Sequence, residues 1–156
     1  MFDDEGNIRN SIKAIIIKNN KILLTKNKYN GEEFYLLPGG GQRKFETIDE
    51  TLKRECLEEI GAEVEIIKLL FIREYIGENH QFFDEDKDIH QVELMFECKL
   101  ISEELLLTEN KDDFQIGYEW IELKNLKNIL IYPNKLKEVI DENGNFSKKI
   151  YLGDAN

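Results

Sequence analysis

The chain is poor in cysteine, proline, tryptophan and histidine, with two, two, one and two of them in 156 residues. Cys56 and Cys98 are too few and too widely spaced for a disulfide framework or a zinc knuckle, and both read as core residues. No apolar run approaches the ~20 residues of a membrane span. Met1 to Glu5 lacks the positive charge and apolar core of a signal peptide. The expectation is therefore a cytoplasmic protein with no membrane partner. Basic charge is also scarce, 21 Lys and Arg against 32 Asp and Glu, a net charge of −11. That balance opposes nonspecific attraction to nucleic acid, so no duplex partner is expected. It equally opposes any phosphorylated small molecule, which would need local cationic help, most directly from a bound metal.

One stretch of this acidic chain is highly ordered in its pattern. Thr47 to Ile60 contains no Pro or Gly, and Ile48, Leu52, Cys56 and Ile60 recur every four residues. The spacing predicts an amphipathic helix, with Gly61 as its C-terminal cap. Glu58 and Glu59 stand three and four residues beyond Glu55, so the three carboxylates share one patch beside the apolar stripe. Alone, such a patch would read as a solvated acidic face. Gathered at the seam between helix and core, three anions repel, and a divalent cation relieves that repulsion. All the donors are oxygens, which suits Mg²⁺ or Mn²⁺ rather than zinc. Arg54 points to a different side, where it could grip a carboxylate by a bidentate bond. Glu46, near the helix start, reads either as a helix-dipole acid or as a further metal ligand. Pro38-Gly39-Gly40-Gly41 follows the strand-like Phe34 to Leu37, and its glycines let backbone approach a phosphate or a metal closely.

From residue 40 onward the spacing is a glycine, five free residues, Glu, seven free residues, Arg-Glu, an apolar residue, a free residue, Glu-Glu, a free residue, Gly and an apolar residue. Gly40, Glu46, Arg54, Glu55, Cys56, Glu58, Glu59, Gly61 and Ala62 fill it without a gap. Its seven fixed letters coincide by chance on the order of once per 10⁸ starting points. This pattern resembles the Nudix box of the MutT-like Nudix hydrolases. One departure is Phe45, where the residue before the first box Glu is often Gly.

At 41% hydrophobic, 156 residues fit one domain over residues 1–156 that buries about 68–70% of its unfolded surface. Ser11 to Lys18 and Lys21 to Lys26, joined by Asn19-Asn20, read as a hairpin. Glu63 to Tyr75 reads as a long strand and Tyr118 to Ile121 as a short one. Gln91 to Leu100 alternates an apolar stripe of Val92, Leu94, Phe96 and Cys98 with Gln91, Glu93, Met95 and Glu97. Leu123 to Leu130 and Asn134 to Glu142 read as helices, the second capped by Asn134 and followed by Gly144. This order predicts an α/β fold with a mixed sheet between helices. Gly77 to His90 stands out as a long loop holding Glu78, Asp84, Glu85, Asp86 and Asp88 with Phe82 and Phe83. Its acids read as solvated and an aromatic as a ligand contact, while His80 and His90 read as structural.

The resemblance implies more than the residues do. It implies a Nudix-type α/β/α sandwich in which the box helix and a C-terminal helix pack on the mixed sheet. It implies metal-dependent cleavage of a nucleoside diphosphate linked to another group, with water attacking phosphorus. Glu55, Glu58 and Glu59 would be the metal ligands, joined by the carbonyl of Gly39, with Arg54 also in the catalytic set and Gly39, Gly40 and Gly41 forming the phosphate loop. The proton of the attacking water would pass to Glu55 or to a later acid, Glu93, Asp112, Asp113 or Glu119. ADP-ribose, a nucleotide sugar, a nucleoside triphosphate and a dinucleoside polyphosphate all remain candidate substrates, and a homodimer is common among relatives. Two rivals are a Nudix-fold module that senses a nucleotide without cleaving it, and an isomerase of isoprenoid diphosphates. The first would usually lack a box carboxylate, and none is missing. The second relies on a reactive cysteine, which neither Cys56 nor Cys98 resembles.

Overall fold

A computed structural model describes residues 6–102, 105 and 114–156. Strands β1 (Arg9–Lys18) and β2 (Lys21–Tyr29) meet at Asn19-Asn20, both with positive φ of 52° and 58°. A two-residue hairpin needs that left-handed pair, and Asn tolerates it better than most residues. Asn30-Gly31 repeats the device, with φ of 49° and 82°, to turn β2 into β3 (Glu32–Leu36). The glycine run is itself a short strand, β4 (Gly39–Gly41), ahead of the box helix α1 (Ile48–Ile60). Then follow β5 (Val64–Ile76), a 3₁₀ turn at Gly77–Asn79, a single turn α2 (Phe83–Asp86) and β6 (His90–Leu100). The chain closes with β7 (Gln115–Glu122), a 3₁₀ segment at Leu123–Asn128, β8 (Ile131–Tyr132), α3 (Leu136–Val139) and β9 (Tyr151–Asp154).

The strands form one mixed sheet in the order β8-β3-β2-β1-β6-β5-β9, with β4 paired to β1 and β7 to β2. β1 runs parallel to β6, while β5 is antiparallel to β6 and parallel to β9. Both faces of β1 are covered. Ile12, Ala14 and Ile16 pack with Leu52, Cys56 and Ile60 of α1, while Ile15 joins Phe71, Met95 and Leu136 on the other side. A strand buried on both faces reads as a nearly continuous apolar run, which is why this hairpin is so rich in Ile and Leu. No helix among the described residues is long and apolar enough to cross a membrane.

β6 is likewise buried on both faces. Leu94, Phe96 and Cys98 do pack in the layer under α1, as their alternation predicts. The opposite set is buried as well: Gln91, Met95 and, at 2% exposure, Glu93. The helices expected near the C-terminus are shorter than the sequence suggests. Leu123 and Leu126 are buried three residues apart on a 3₁₀ segment, and α3 packs on the sheet for only one turn. Asn134 does not cap it; Lys135 stands at the cap position without a side-chain bond. The helix ends because the Asp141 carboxylate accepts from the backbone N–H groups of Asn143 and Asn145, each at 2.9 Å. That local turn competes with helix continuation. Ile140 then bridges to Phe146.

Glu93 tolerates its burial because Arg73 Nε donates to it at 2.9 Å, with Ser11 Oγ and Gln91 Nε2 each at 3.2 Å on its other oxygen. Removing one partner of such a pair strands the other charge in the interior. Arg73→Met should therefore lower unfolding free energy by about 3–5 kcal/mol, and adding Glu93→Leu should recover most of the loss. Urea unfolding of the single and double variants measures both effects.

Candidate active site

The box helix starts at Thr47, whose hydroxyl accepts from the Glu50 N–H while the Glu50 carboxylate accepts from the Thr47 N–H. This reciprocal cap satisfies two of the helix's orphan donors. At the other end Gly61, with φ of 61°, sends its N–H to the Leu57 carbonyl and turns the chain away. Burying Leu52, Cys56 and Ile60 rotates Glu55 and Glu59 into the seam beside them, where they are 9% and 6% exposed. Glu58 lies further out, its side chain 34% exposed.

Arg54 sits over this acidic seam. Its Nε and Nη2 fork onto the two oxygens of Glu46, at 2.6 and 3.0 Å, the bidentate grip the sequence suggests. The side chain does not, however, point away from the acidic patch. Nη1 reaches Glu55 at 2.9 Å and Glu58 at 3.5 Å, and Nη2 also donates to the Gly41 carbonyl at 3.1 Å. One guanidinium thus binds three carboxylates and the glycine segment. Glu46 is spent on this task. It also accepts from the Thr51 hydroxyl and the Arg43 N–H, and the Arg54 hydrogen bond, first among these, lowers its pKa from 4.5 to about 2. Its oxygens are engaged by Arg54, Thr51 and the Arg43 N–H.

The glycines make the opposing wall. Gly39 has φ of 133°, and a Cβ there would lie 2.1 Å from the Ile12 carbonyl oxygen. Its N–H donates to Glu59 Oε2 at 2.7 Å. A Cβ on Gly40 would lie 2.7 Å from the Glu55 carboxyl. Backbone and acid are in contact here because no side chain intervenes. The Gly39 carbonyl accepts from Lys13 Nζ at 3.0 Å, and the same ammonium reaches the Leu37 carbonyl at 3.3 Å. Phe45 is 93% exposed with φ of 75°, the left-handed conformation that explains why glycine suits this position.

Among the described residues, no three acid, histidine or cysteine side chains are grouped to hold an ion, and Arg54 engages Glu46, Glu55 and Glu58. The donor chemistry nevertheless fits a hard divalent cation: Glu55 and Glu59 line Gly39-Gly40 with carboxylate oxygens, and Glu58 shares a cation with Glu55. Of the later acids, Glu93 is taken by Arg73, and Glu119 accepts from the Tyr35 hydroxyl at 2.7 Å. Asp112 and Asp113 lie outside the described residues. Burial raises the pKa of both thiols, Cys98 to about 12 and Cys56 well above its ordinary value, consistent with inert core positions.

The loop over residues 77–90 is more tied down than expected. Asp86 accepts from the Tyr75 hydroxyl at 2.6 Å, and His80 stacks on Tyr75 and pairs with Asp154 at 2.6 Å. His90 lies 3.4 Å from Glu74. Phe82 meets Tyr132 edge-on and helps to line a cavity of about 420 Å³ that Tyr29, Phe34, Arg73 and Gln91 also line. Phe82 is the loop aromatic that lines this cavity among the described side chains. Lys13 and Arg9 were not singled out in the sequence. Each is an isolated base on an apolar strand, and only the register of β1 against β4, Lys13 opposite Gly39 and Ser11 opposite Gly41, brings them to the box.

The two glycines should respond differently to alanine. Gly39→Ala meets backbone and should destabilise the fold, with a lowered urea midpoint. Gly40→Ala meets only the end of a flexible side chain. It should fold normally while displacing the Glu55 carboxylate, seen as a changed Glu55 carboxyl ¹³C shift. Glu46 should titrate near pH 2 by the same NMR method, and Arg54→Ala should return it toward 4.5. With the folded pKa depressed, this contact's contribution to stability is complete above pH 4.5 and fades as the pH falls toward 2.

Similarity to known structures agrees with this geometry. A NUDIX hydrolase from Nitrosomonas europaea superposes with a TM-score of 0.68 at 17% identity, covering 85% of each chain. A MutT NUDIX hydrolase from Burkholderia pseudomallei gives 0.66 at 22% identity, over 83% of this chain and 95% of that one. An ADP-ribose pyrophosphatase from Streptococcus suis gives 0.59 at 19% identity, over 81% of each. These likenesses show the fold, and a sequence-family model spans the box and most of the strands around it. With residues 8–142 matched by that model, the chain belongs to the NUDIX domain family.

Proposed function

We propose that the protein uses a divalent cation, Mg²⁺ or Mn²⁺, to hydrolyse the phosphoanhydride of a nucleoside diphosphate linked to a second group. The observation that carries this reading is the contact of Glu55 and Glu59 with Gly39-Gly40, beneath a guanidinium that also holds Glu58. Glu55, Glu58 and Glu59 are the metal-holding set. Glu46 is left out because its oxygens are committed to Arg54, Thr51 and the Arg43 N–H, while the Gly39 carbonyl, with Lys13 on one of its two lone pairs, joins the set as a backbone ligand. When bound, the cation supplies Lewis acidity toward the anhydride oxygens and lowers the pKa of water at the site.

The protein's own groups do the rest. Arg54 fixes the Glu55 carboxylate, limiting the reorganisation needed at the reacting centre. The Lys13 ammonium adds positive charge beside the glycine wall of an otherwise anionic site. Glu55 is the group we assign to take the proton of the attacking water, with Asp112 or Asp113 as the alternative, while Glu93 and Glu119 are engaged by Arg73 and Tyr35. The aromatic cavity suits a planar group such as a nucleobase. Similarity to the ADP-ribose pyrophosphatase from Streptococcus suis supports a substrate of that kind.

Product release from ADP-ribose, UDP-glucose, a deoxynucleoside triphosphate and a dinucleoside polyphosphate, each with Mg²⁺ or Mn²⁺, tests the reading. Cleavage of at least one nucleoside diphosphate derivative is expected, with no turnover in EDTA. Glu55→Gln should lower kcat by about 10²–10⁴-fold with little change in urea midpoint. Retained metal-dependent turnover in that variant would place the chemistry on another face of the helix.

A further inference from the structure

We propose that Arg9 holds the phosphate attached to whatever group enters the aromatic cavity, and so fixes which end of the substrate points into it. The inference rests on the hydrolase reading only for the identity of the chemistry; the binding role of Arg9 follows from its own surroundings.

Among the described residues Arg54 is saturated by carboxylates and Arg73 is paired with Glu93, whereas Arg9 has no carboxylate partner. In a chain with eleven more acids than bases, an arginine without one is informative. Its Nη1 donates to the Gln91 side-chain oxygen, and Gln91 lines the cavity. The rest of the guanidinium lies on the glycine segment, where a Cβ at Gly41 would be 2.8 Å from Nη2 and 3.0 Å from Nε. Arg54 Nη2 meanwhile holds the carbonyl of that same Gly41. Two guanidinium groups therefore meet at one glycine, one neutralised by the box carboxylates and one with donors to spare. A guanidinium has five N–H donors, and Gln91 takes one.

The charges around the cavity give the ligand its direction. Its walls are aromatic, with Phe34 and Phe82 both edge-on to Tyr132. Glu32, Glu85 and Asp86 also line it, and its cation, Arg73, is already neutralised by Glu93. A phosphate is repelled from that acidic lining, while an uncharged planar ring is not. A ligand carrying both therefore seats its ring among the aromatics and its phosphate at the Gln91 side, where Arg9 leads on to Gly41 and the box.

Equilibrium binding without metal tests this, using adenosine, AMP, uridine and UMP in EDTA with wild type, Arg9→Ala, Arg9→Lys and the surface control Lys124→Ala. In wild type at least one monophosphate should bind more tightly than its nucleoside. Arg9→Ala should remove that advantage, about tenfold or more, and leave nucleoside affinity unchanged. Arg9→Lys should restore part of it, as a point charge without the planar fork. Lys124→Ala should leave it intact, which separates local contact from net charge. Equal weakening of nucleoside and monophosphate in Arg9→Ala would reduce Arg9 to a support for Gln91 and overturn the proposal. So would an undiminished advantage, or no binding of either nucleotide to wild type. Should Arg9→Ala fail to fold by circular dichroism, Arg9→Gln carries the same comparison. Arg9-dependent AMP binding without hydrolysis of any panel compound would overturn the hydrolase reading alone. Hydrolysis with binding indifferent to Arg9 would overturn this inference alone.

Discussion

The Arg54 guanidinium is the contact on which the site's arrangement depends. Glu55 and Glu59 are buried because the apolar stripe of α1 must face the sheet, and acids gathered on one seam would otherwise repel. Arg54 offsets that repulsion from within the chain. It ties Glu46 before the helix, Glu55 and Glu58 on it, and the Gly41 carbonyl of the strand opposite. With Arg54 in place, charge repulsion among the clustered glutamates does not by itself call for a metal. The donor set fits one better, oxygen throughout and held against glycine backbone.

The glycines and the arginine are two halves of one constraint. Close approach of Glu55 to Gly40 and of Glu59 to the Gly39 N–H requires backbone without side chains. That backbone is in turn held straight as β4 by pairing with β1. Because β1 is covered on both faces, the site rests on a buried part of the sheet. The Arg73–Glu93 pair is a second polar island on the other face, bordering the aromatic cavity. Gln91 connects the two, donating to Glu93 and accepting from Arg9, which lies on Gly41.

Much of this was legible in the chain. The box helix and its C-terminal cap, the Asn19-Asn20 hairpin and the long strands follow from local rules, since cap chemistry, turn φ and apolar period act over a few neighbouring residues. The turn at Asn30-Gly31 carried an equally clear signal. The short C-terminal helix was less legible, because the apolar pattern after Asn134 is helical while the Asp141 turn that ends it depends on side chain to backbone bonds that periodicity does not register. The second face of β6 was not legible for another reason. Polar Gln91 and Glu93 look solvent-facing until Arg73 is brought across from β5 to pair with Glu93.

By itself, the sequence determined which residues would share a face of α1, because a helix converts spacing into direction at 100° per residue wherever it sits. It determined an acidic chain with one tightly patterned glycine, arginine and glutamate segment. Tertiary structure alone decided what each of those residues is bonded to. Glu46 went to Arg54, Glu93 to Arg73 and the Gly39 carbonyl to Lys13. Arg9 was brought onto Gly41. Lys13 and Gly39 stand 26 residues apart, and Arg9 and Gln91 stand 82 apart. Contacts at such separations depend on strand order and register, which many distant side chains set together and no local pattern encodes.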